Sequence, residues 1–188
     1  MHFADLRSDR LELTEIGLYG LQDMLAYSSD PRFYRYFESG PHRDPGETQA
    51  YLEKLIRISS EPTGHYWFIR LLAEKKIIGT VGVVGIDEAR AVAEIGYGLA
   101  PDHWGRGYFS ETLSTVLRHL FVDRNLHRIW AKVQSDNISS IRGLANARFV
   151  REGVLREFYK DSHGTRHDAV VFSMLRREFL AASQRDSA

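Results

Sequence analysis

A glycine-rich turn precedes an amphipathic segment in the stretch PDHWGRGYFSETLSTVLRHLF, residues 101–121. Gly105 and Gly107 flank an arginine, and the apolar spacing after them predicts a helix that begins at about Tyr108 to Ser110. The N-terminus of a helix has unpaired N–H groups and the positive end of the helix dipole, so it suits a phosphate or pyrophosphate. Glycines let these N–H groups approach an anion closely. The same pattern is also compatible with a plain turn that leads into a helix.

Two better-known phosphate-binding motifs do not fit this chain. No G-x-x-x-x-G-K-[ST] string occurs, which excludes a P-loop. A dinucleotide fingerprint needs G-x-G-x-x-G directly after a strand, but Ser110 stands at the third glycine position and residues 100–104 separate the motif from the preceding strand. The glycines of GTVGVVG, residues 79–85, lie inside a predicted strand, where glycine more often marks a bulge or close packing than a ligand loop.

Histidine residues give no comparable signal. The segment HGTRHD contains His163, His167 and Asp168 and imitates a metal site, but it falls where a hairpin turn is predicted and further ligands are missing. We therefore expect no metal. His103, beside Trp104, is compatible with a phosphate contact and with an ordinary solvated turn histidine.

The composition favours one globular domain with no global charge. The chain has 188 residues, 43% of them apolar, and 25 basic residues balance 25 acidic ones, so we expect neither nucleic acid nor a membrane as partner. Cysteine is absent, which excludes disulfides and thiolate nucleophiles. Because no signal-peptide core or apolar run of spanning length is visible, we expect a cytoplasmic protein. We predict a single domain over residues 1–180 and a flexible tail over residues 181–188.

The elements that must position the glycine turn follow from hydrophobic periodicity. The pattern predicts strands near residues 10–16, 65–72, 76–86, 93–100, 128–134, 149–159 and 168–175. It predicts helices near residues 18–26, 45–59, 108–121 and 139–148. Between the first two helices, the aromatic residues of RFYRYF suit either an acceptor wall or a core-facing helix face: Phe33, Tyr34, Tyr36 and Phe37. This order predicts an α/β (α+β) fold, a mixed and mostly antiparallel sheet of about seven strands with helices on both faces.

The pattern EIGYGLAPDHWGRGYFSETL, followed by NISSIRGLANARFVREGVLRE, resembles the GNAT superfamily of acyl-CoA-dependent N-acetyltransferases, and within it the ribosomal-protein-alanine N-terminal acetyltransferase branch. The resemblance covers most of the chain. It implies a GNAT fold with a splay between strands four and five, and acetyl-CoA as cosubstrate. It implies coenzyme contacts at these residues: Tyr97, Gly98, Leu99, Trp104, Gly105, Arg106, Gly107, Tyr108, Phe109, Ser110 and Asn137.

The chain departs from the superfamily pattern at two positions. Phe109 replaces the small residue that usually ends the pyrophosphate loop, and it either reshapes the loop or turns inward as core. Leu144 matches a position where many members place a tyrosine that protonates the leaving thiolate, and the resemblance implies that Ser140 takes this role. Asn137 is implied to contact the pantetheine or hold the loop, but asparagine and serine here also suit a helix N-cap.

Amine acylation by a thioester requires a base, donors for the developing oxyanion and stabilisation of the departing sulfur. The resemblance implies Glu94 as the first candidate base and Glu157 as the second, with strand N–H groups at residues 97–99 as oxyanion donors. Glu94 shares a strand face with two glycines that leave room beside it. The alternative is a structural glutamate paired with Arg90 or with a cation on a neighbouring strand. Tyr159 and Tyr97 are candidate pocket residues, although aromatic side chains at strand spacing are more often core.

The expected activity is transfer of an acetyl group to a primary amine by direct attack in a ternary complex. A peptide or ribosomal-protein N-terminus is the acceptor implied by the branch, while polyamine, amino acid and aminoglycoside acceptors stay open. A non-catalytic acyl-CoA-binding module is the alternative from another class, since the tyrosine at position 144 is missing. A homodimer is compatible with the resemblance.

Overall fold

The computed structural model describes residues 3–186, and in this range eight strands form one sheet. The strands are β1 (Leu6–Arg7), β2 (Leu11–Glu15), β3 (His65–Leu71), β4 (Ile77–Asp87), β5 (Val92–Leu99), β6 (Arg128–Gln134), β7 (Val150–Lys160) and β8 (Arg166–Leu175). The α-helices are α1 (Leu21–Ser28), α2 (Pro31–Tyr34), α3 (Pro45–Ser60), α4 (Tyr108–Arg118), α5 (Ile138–Asn146) and α6 (Arg176–Asp186). The predicted mixed fold is confirmed. The strand that sequence analysis missed is β1, whose two residues are too few to show an alternating pattern.

The sheet is antiparallel except at one pair of strands. Its order is β1-β2-β3-β4-β5-β6-β8-β7, and β5 runs parallel to β6. These two strands pair only from Val92 opposite Arg128 to Glu94 opposite Trp130, although both continue further. Residues 95–99 of β5 therefore diverge from β6. This divergence confirms the predicted splay between the fourth and fifth strands of the sequence analysis.

The two faces of the sheet are covered by different helices. The face that carries Phe68, Gly98 and Glu94, here called the front face, packs against α1 and α3 through one apolar cluster. The opposite back face packs against α4 and α5 through a larger cluster that includes Ile95 and Leu144. Side chains of a strand alternate between faces, so the register assigns each residue of the divergence to one side.

Helices α2 and α3 begin at recognisable capping residues. Asp44 accepts a hydrogen bond from the N–H of Glu47 at 3.0 Å, and Pro45 occupies the first turn, as its fixed φ allows. In the aromatic segment between α1 and α3, Asp30 caps the short helix α2 through the N–H of Arg32 at 2.8 Å. The chain therefore turns tightly between α1 and α3 and holds its aromatic rings against the sheet.

The C-terminal segment differs from the expected tail. Helix α6 continues through Asp186, so residues 181–186 are helical rather than irregular, and residues 187–188 lie outside the described range. Phe179 of this helix packs against Phe121 with ring centroids 5.2 Å apart. Among residues 3–186, no helix combines the length and the apolar character needed to cross a membrane.

Candidate active site

The glycine turn has the backbone geometry of an anion-binding loop. Gly105 and Gly107 have φ values of +72° and +80°, a left-handed conformation that residues with a side chain rarely adopt. Helix α4 begins immediately afterwards, and no side chain caps its N-terminus. Its first N–H groups have no acceptors within the helix. The predicted loop and helix start are therefore present, and the anion that they would bind remains a prediction.

Two side chains fix this loop from opposite ends. The indole Nε1 of Trp104 donates to the carbonyl oxygen of Leu99 at 2.7 Å, which ties the loop to the end of β5. Arg10, from the turn between β1 and β2, donates to the carbonyl oxygen of Arg106 at 3.0 Å. Its guanidinium also lies 4.6 Å from the ring centroid of Tyr108. Sequence analysis missed Arg10, because nothing local indicates that a residue of the first hairpin reaches the loop.

Glu111, in the first turn of α4, anchors Arg10. Its carboxylate accepts from Arg10 Nε at 2.6 Å, from the Arg10 backbone N–H at 2.8 Å and from Ser8 Oγ at 2.8 Å. Burial raises the pKa of Glu111, but these hydrogen bonds outweigh burial and hold the pKa below its ordinary value. An anionic residue in the first turn also suits the helix dipole. The loop is therefore braced by a network that connects it to the first hairpin.

Phe109 turns inward rather than reshaping the loop. Its ring lies 4.7 Å from the ring of Tyr97, centroid to centroid, and packs, partly buried, against the back-face core. A Cβ atom placed on Gly143 of α5 would lie 2.6 Å from Phe109 Cε1, so the missing side chain at position 143 makes room for the ring. Of the two expectations for Phe109, the structure shows the core position. Ser110 follows on the exposed side of the helix.

Asn137 and Ser140 lie at the start of α5. Asn137 Oδ1 accepts a hydrogen bond from the Ser140 N–H at 3.1 Å, which is the N-cap arrangement expected as the structural alternative. Leu144 is fully buried in the core. The hydroxyl of Tyr97 is buried, and among the described residues it has no hydrogen bond of good geometry. Burial raises the pKa of Tyr97, and the neighbouring Ser140 side chain acts in the opposite direction.

Glu94 makes an ion pair with a cation of the neighbouring strand. Its Oε1 lies 3.1 Å from Lys132 Nζ, with 20% of the Glu94 side chain and 19% of the Lys132 side chain exposed. The Lys132 ammonium also lies 5.1 Å from the Trp130 ring centroid and 4.6 Å from that of Phe158. The predicted alternative of a neighbouring-strand partner is thus observed, whereas Arg90 pairs with Asp87. Glu94 is therefore a partly buried, ion-paired carboxylate beside the divergence of β5 and β6.

The room expected beside Glu94 is partly filled. A Cβ atom on Gly98 would lie 2.8 Å from Phe33 Cζ and 3.4 Å from Phe37 Cζ, so these rings cover that glycine on the front face. The two rings stack with centroids 5.2 Å apart. Phe37 is 36% exposed and Phe33 also packs against the front-face core. The aromatic segment therefore serves as core at Phe33 and as the wall of an open surface at Phe37.

Glu157 lies on an irregular part of β7. The register shifts between Leu155 and Tyr159, and Glu157 itself has a φ of +51°. Its side chain is exposed, while its N–H donates to Asp168 Oδ1 at 2.8 Å. The same bulge places the ring of Phe158 over Lys132. The structure thus brings Phe158, rather than the Glu157 carboxylate, into contact with the Glu94 pair.

Tyr159 and the hairpin histidine have structural partners. Tyr159 Oη donates to the carbonyl oxygen of Lys132 at 3.2 Å, and burial raises the pKa of Tyr159 to about 12. Asp161 organises the turn between β7 and β8 and lies 3.1 Å from His167 Nε2, and this contact raises the pKa of His167. Within residues 3–186, no group of three or more potential ligands could hold a metal ion.

Comparisons with known proteins agree with this geometry. A family model described as an acetyltransferase (GNAT) domain matches residues 10–150. The uncharacterized N-acetyltransferase p20 of Bacillus licheniformis is 33% identical over 174 residues, which cover 93% of this chain and 97% of that protein. The crystal structure of a GCN5-related N-acetyltransferase from Brucella melitensis has the same fold, with a TM-score of 0.88 and 21% identity over 98% of this chain and 84% of that one.

Two further relatives have names that state an acceptor. The spermidine N(1)-acetyltransferase of Vibrio cholerae is 27% identical over 142 residues, 75% of this chain and 81% of that protein. The ribosomal-protein-serine acetyltransferase of Escherichia coli is 29% identical over 102 residues, 53% of this chain and 57% of that protein. The two acceptors differ, while both relatives are named acetyltransferases. The chain therefore belongs to the GNAT acetyltransferase family and is an N-acetyltransferase.

Proposed function

We propose that this enzyme transfers the acetyl group of acetyl-CoA to a primary amine by direct attack in a ternary complex, and that the acceptor is the N-terminus of a peptide or protein. The observation that carries the proposal is the course of β5. Its first residues pair with β6 and include Glu94, its later residues leave β6, and Trp104 ties its end to the glycine loop. Strand β5 thereby connects the glycine loop, where the acetyl donor is proposed to bind, with the Glu94 carboxylate.

The donor site follows from the backbone of this strand and loop. The left-handed glycines and the uncapped start of α4 fit a pyrophosphate, whose oxygens accept N–H hydrogen bonds. Among the described strands, residues 95–99 have no partner on the β6 side, so the N–H and C=O groups that point to that side are available to the amides of pantetheine, apart from the Leu99 carbonyl that Trp104 holds. N–H groups at residues 97–99 are the proposed donors to the oxyanion.

The proton transfers are assigned to side chains at both sides of the divergence. Glu94 is the proposed base that takes the proton of the attacking amine, directly or through a water molecule. Ser140, with the buried Tyr97 hydroxyl beside it, is the proposed donor to the departing thiolate. Glu157 is the second candidate base. Its side chain is exposed on β7, so we prefer the partly buried Glu94 as the base.

The front face favours a peptide over a polyamine. A polyamine carries several positive charges, and Lys132 places a further positive charge beside the single carboxylate of the pair. The partly exposed rings of Phe37 and Phe158 offer apolar surface to the side chains of a peptide. The name of the ribosomal-protein-serine acetyltransferase of Escherichia coli, one of the relatives, supports a protein acceptor.

Release of coenzyme A thiol with a panel of amines tests the proposal. The panel contains peptides with a free N-terminus, the same peptides with a blocked N-terminus as matched controls, spermidine and an aminoglycoside. We expect thiol release with free peptides, none above background with blocked peptides, and a lower kcat/KM for spermidine. Faster turnover of spermidine than of any peptide would refute the acceptor assignment. Coenzyme binding without turnover of any amine would instead support a non-catalytic acyl-CoA-binding module.

A further inference from the structure

Lys132 occupies an unusual position for a lysine side chain. It follows Trp130, the last β6 residue that pairs with β5, by two positions, so it lies on the front face where the two strands have begun to separate. Its ammonium nevertheless reaches back across the opening to Glu94, with 3.1 Å between Nζ and Oε1. The side chain therefore spans the front opening of the divergence.

The surroundings of Lys132 hold its amino group in place. The rings of Trp130 and Phe158 lie 5.1 and 4.6 Å from Nζ, within the range of a cation–π interaction. Only 19% of the side chain is exposed, whereas the other lysines of the chain are exposed: Lys54, Lys75, Lys76 and Lys160. A primary amine thus stands fixed beside the proposed base and next to the opening through which the proposed acetyl donor faces the acceptor side.

We propose that Lys132 is itself an acetylation site of this enzyme, modified intramolecularly by acetyl-CoA when no other acceptor is bound. The inference rests on the proposed function, because it uses the same donor and the same base. Glu94 takes a proton from the Lys132 ammonium, and the nitrogen lone pair forms a bond to the thioester carbon. The carbon–sulfur bond breaks, sulfur leaves with its electron pair, and the thiolate takes up the second proton that the nitrogen loses. The products are Nε-acetyl-Lys132, coenzyme A thiol and one proton released to solvent from Glu94.

The modification changes the charge of the front face. Acetylation removes the positive charge of Lys132, and the Glu94 carboxylate loses its ion-pair partner. The planar amide that forms is neutral and fits an environment of two aromatic rings. The opening therefore passes from a neutral pair to a net negative site. Such a site recognises a cationic acceptor better than the unmodified enzyme does.

Mass spectrometry of the whole chain provides a direct test. The purified enzyme is incubated with isotope-labelled acetyl-CoA without any amine, digested, and mapped at its five lysines. We expect label at Lys132 about tenfold or more above that at each exposed lysine, because a fixed amine reacts as if at high local concentration. The labelling rate should not depend on enzyme concentration. Chemical acetylation would give the opposite distribution, since Lys132 is the least exposed lysine.

Variants separate the outcomes. With acetyl-CoA at a concentration near the Kd of the wild type, Glu94→Gln should lose the label at Lys132 and Gly107→Glu should lower it about tenfold or more, while Lys160→Arg, the control on the neighbouring hairpin, should retain it. Label at Lys132 that is as strong in Gly107→Glu as in the wild type at that concentration, or that spreads over the exposed lysines, would overturn the inference. The same samples are assayed with the amine panel. Amine turnover without label at Lys132 would overturn this inference alone, and absence of both would overturn the proposed function with it.

Discussion

Substitution of Gly107 by glutamate tests the donor site most directly. Gly107 has a φ of +80°, and a Cβ atom there would lie 3.3 Å from Arg10 Nη2, the flexible end of a side chain that can move. The left-handed conformation costs a residue with a side chain about 1–2 kcal/mol. Gly107→Ala should therefore lose about that much stability while it keeps the charge of the loop.

Gly107→Glu adds a negative charge to the same strain. A carboxylate about 5 Å from one phosphate charge is repelled by about 3 kcal/mol at an effective dielectric constant of about 20. The Arg10 guanidinium neutralises part of this repulsion. We therefore expect the Kd for coenzyme A to rise by about 10- to 100-fold, since about 1.4 kcal/mol corresponds to a factor of ten.

Isothermal titration calorimetry and thermal unfolding of matched variants provide the measurement. The control is Gly164→Glu, because Gly164 has a φ of +88° and lies near a lysine in the hairpin between β7 and β8. It should lose similar stability without weaker coenzyme binding. Equal Kd values for wild type, Gly107→Ala and Gly107→Glu would refute the assignment of this loop to the pyrophosphate. Equal weakening in Gly107→Ala and Gly107→Glu would assign the effect to backbone strain rather than to charge.

Three further substitutions probe other parts of the site. Tyr97→Phe should leave the free energy of unfolding unchanged or raise it by up to about 1 kcal/mol, because the buried hydroxyl lacks a good hydrogen bond. The same substitution should lower kcat. An unchanged kcat in steady-state assays would show that Tyr97 takes no part in the proton transfer. Lys132→Gln should raise kcat/KM for spermidine about tenfold relative to Lys132→Arg, and equal values would show that its charge does not select acceptors. The Arg128 guanidinium holds the pKa of Glu152 at about 2 instead of 4.5. The free energy of unfolding of the wild type should therefore fall as pH falls from about 4.5 towards 2. Urea unfolding of Arg128→Gln should show a smaller decrease in this free energy over the same interval.

Local signals in the sequence were sufficient to predict the glycine loop and the start of α4. The glycines at 105 and 107 and the apolar spacing after them predict both the left-handed turn and the start of α4, because backbone conformation and helix initiation depend on nearby residues. Asn137 is similar, since a capping residue acts on an N–H group three positions away. These predictions concern contacts between residues that are neighbours in the chain.

Contacts between segments that are distant in the chain could not be predicted from local sequence signals. Arg10 donates a hydrogen bond to a residue 96 positions further along the chain. The alternating pattern around Arg10 predicts a strand but does not indicate this contact. The inward position of Phe109 depends on the missing side chain of Gly143, which is recognisable only when α4 and α5 are placed side by side. The pairing of Glu94 with Lys132 requires the register of two parallel strands, and a register is a property of the folded sheet.

The position of Lys132 is compatible with the proposed role of Glu94 as base. Glu94 and Lys132 come from the two strands that diverge, so their contact spans the front of the opening. Under the proposed mechanism, an entering amine takes the place of the Lys132 ammonium at the Glu94 carboxylate. An acceptor with one amino group can exchange with Lys132 at constant net charge once Lys132 turns towards solvent. A polyamine would bring additional charge to the same opening, so we expect the pair to discriminate between acceptors by charge as well as by position.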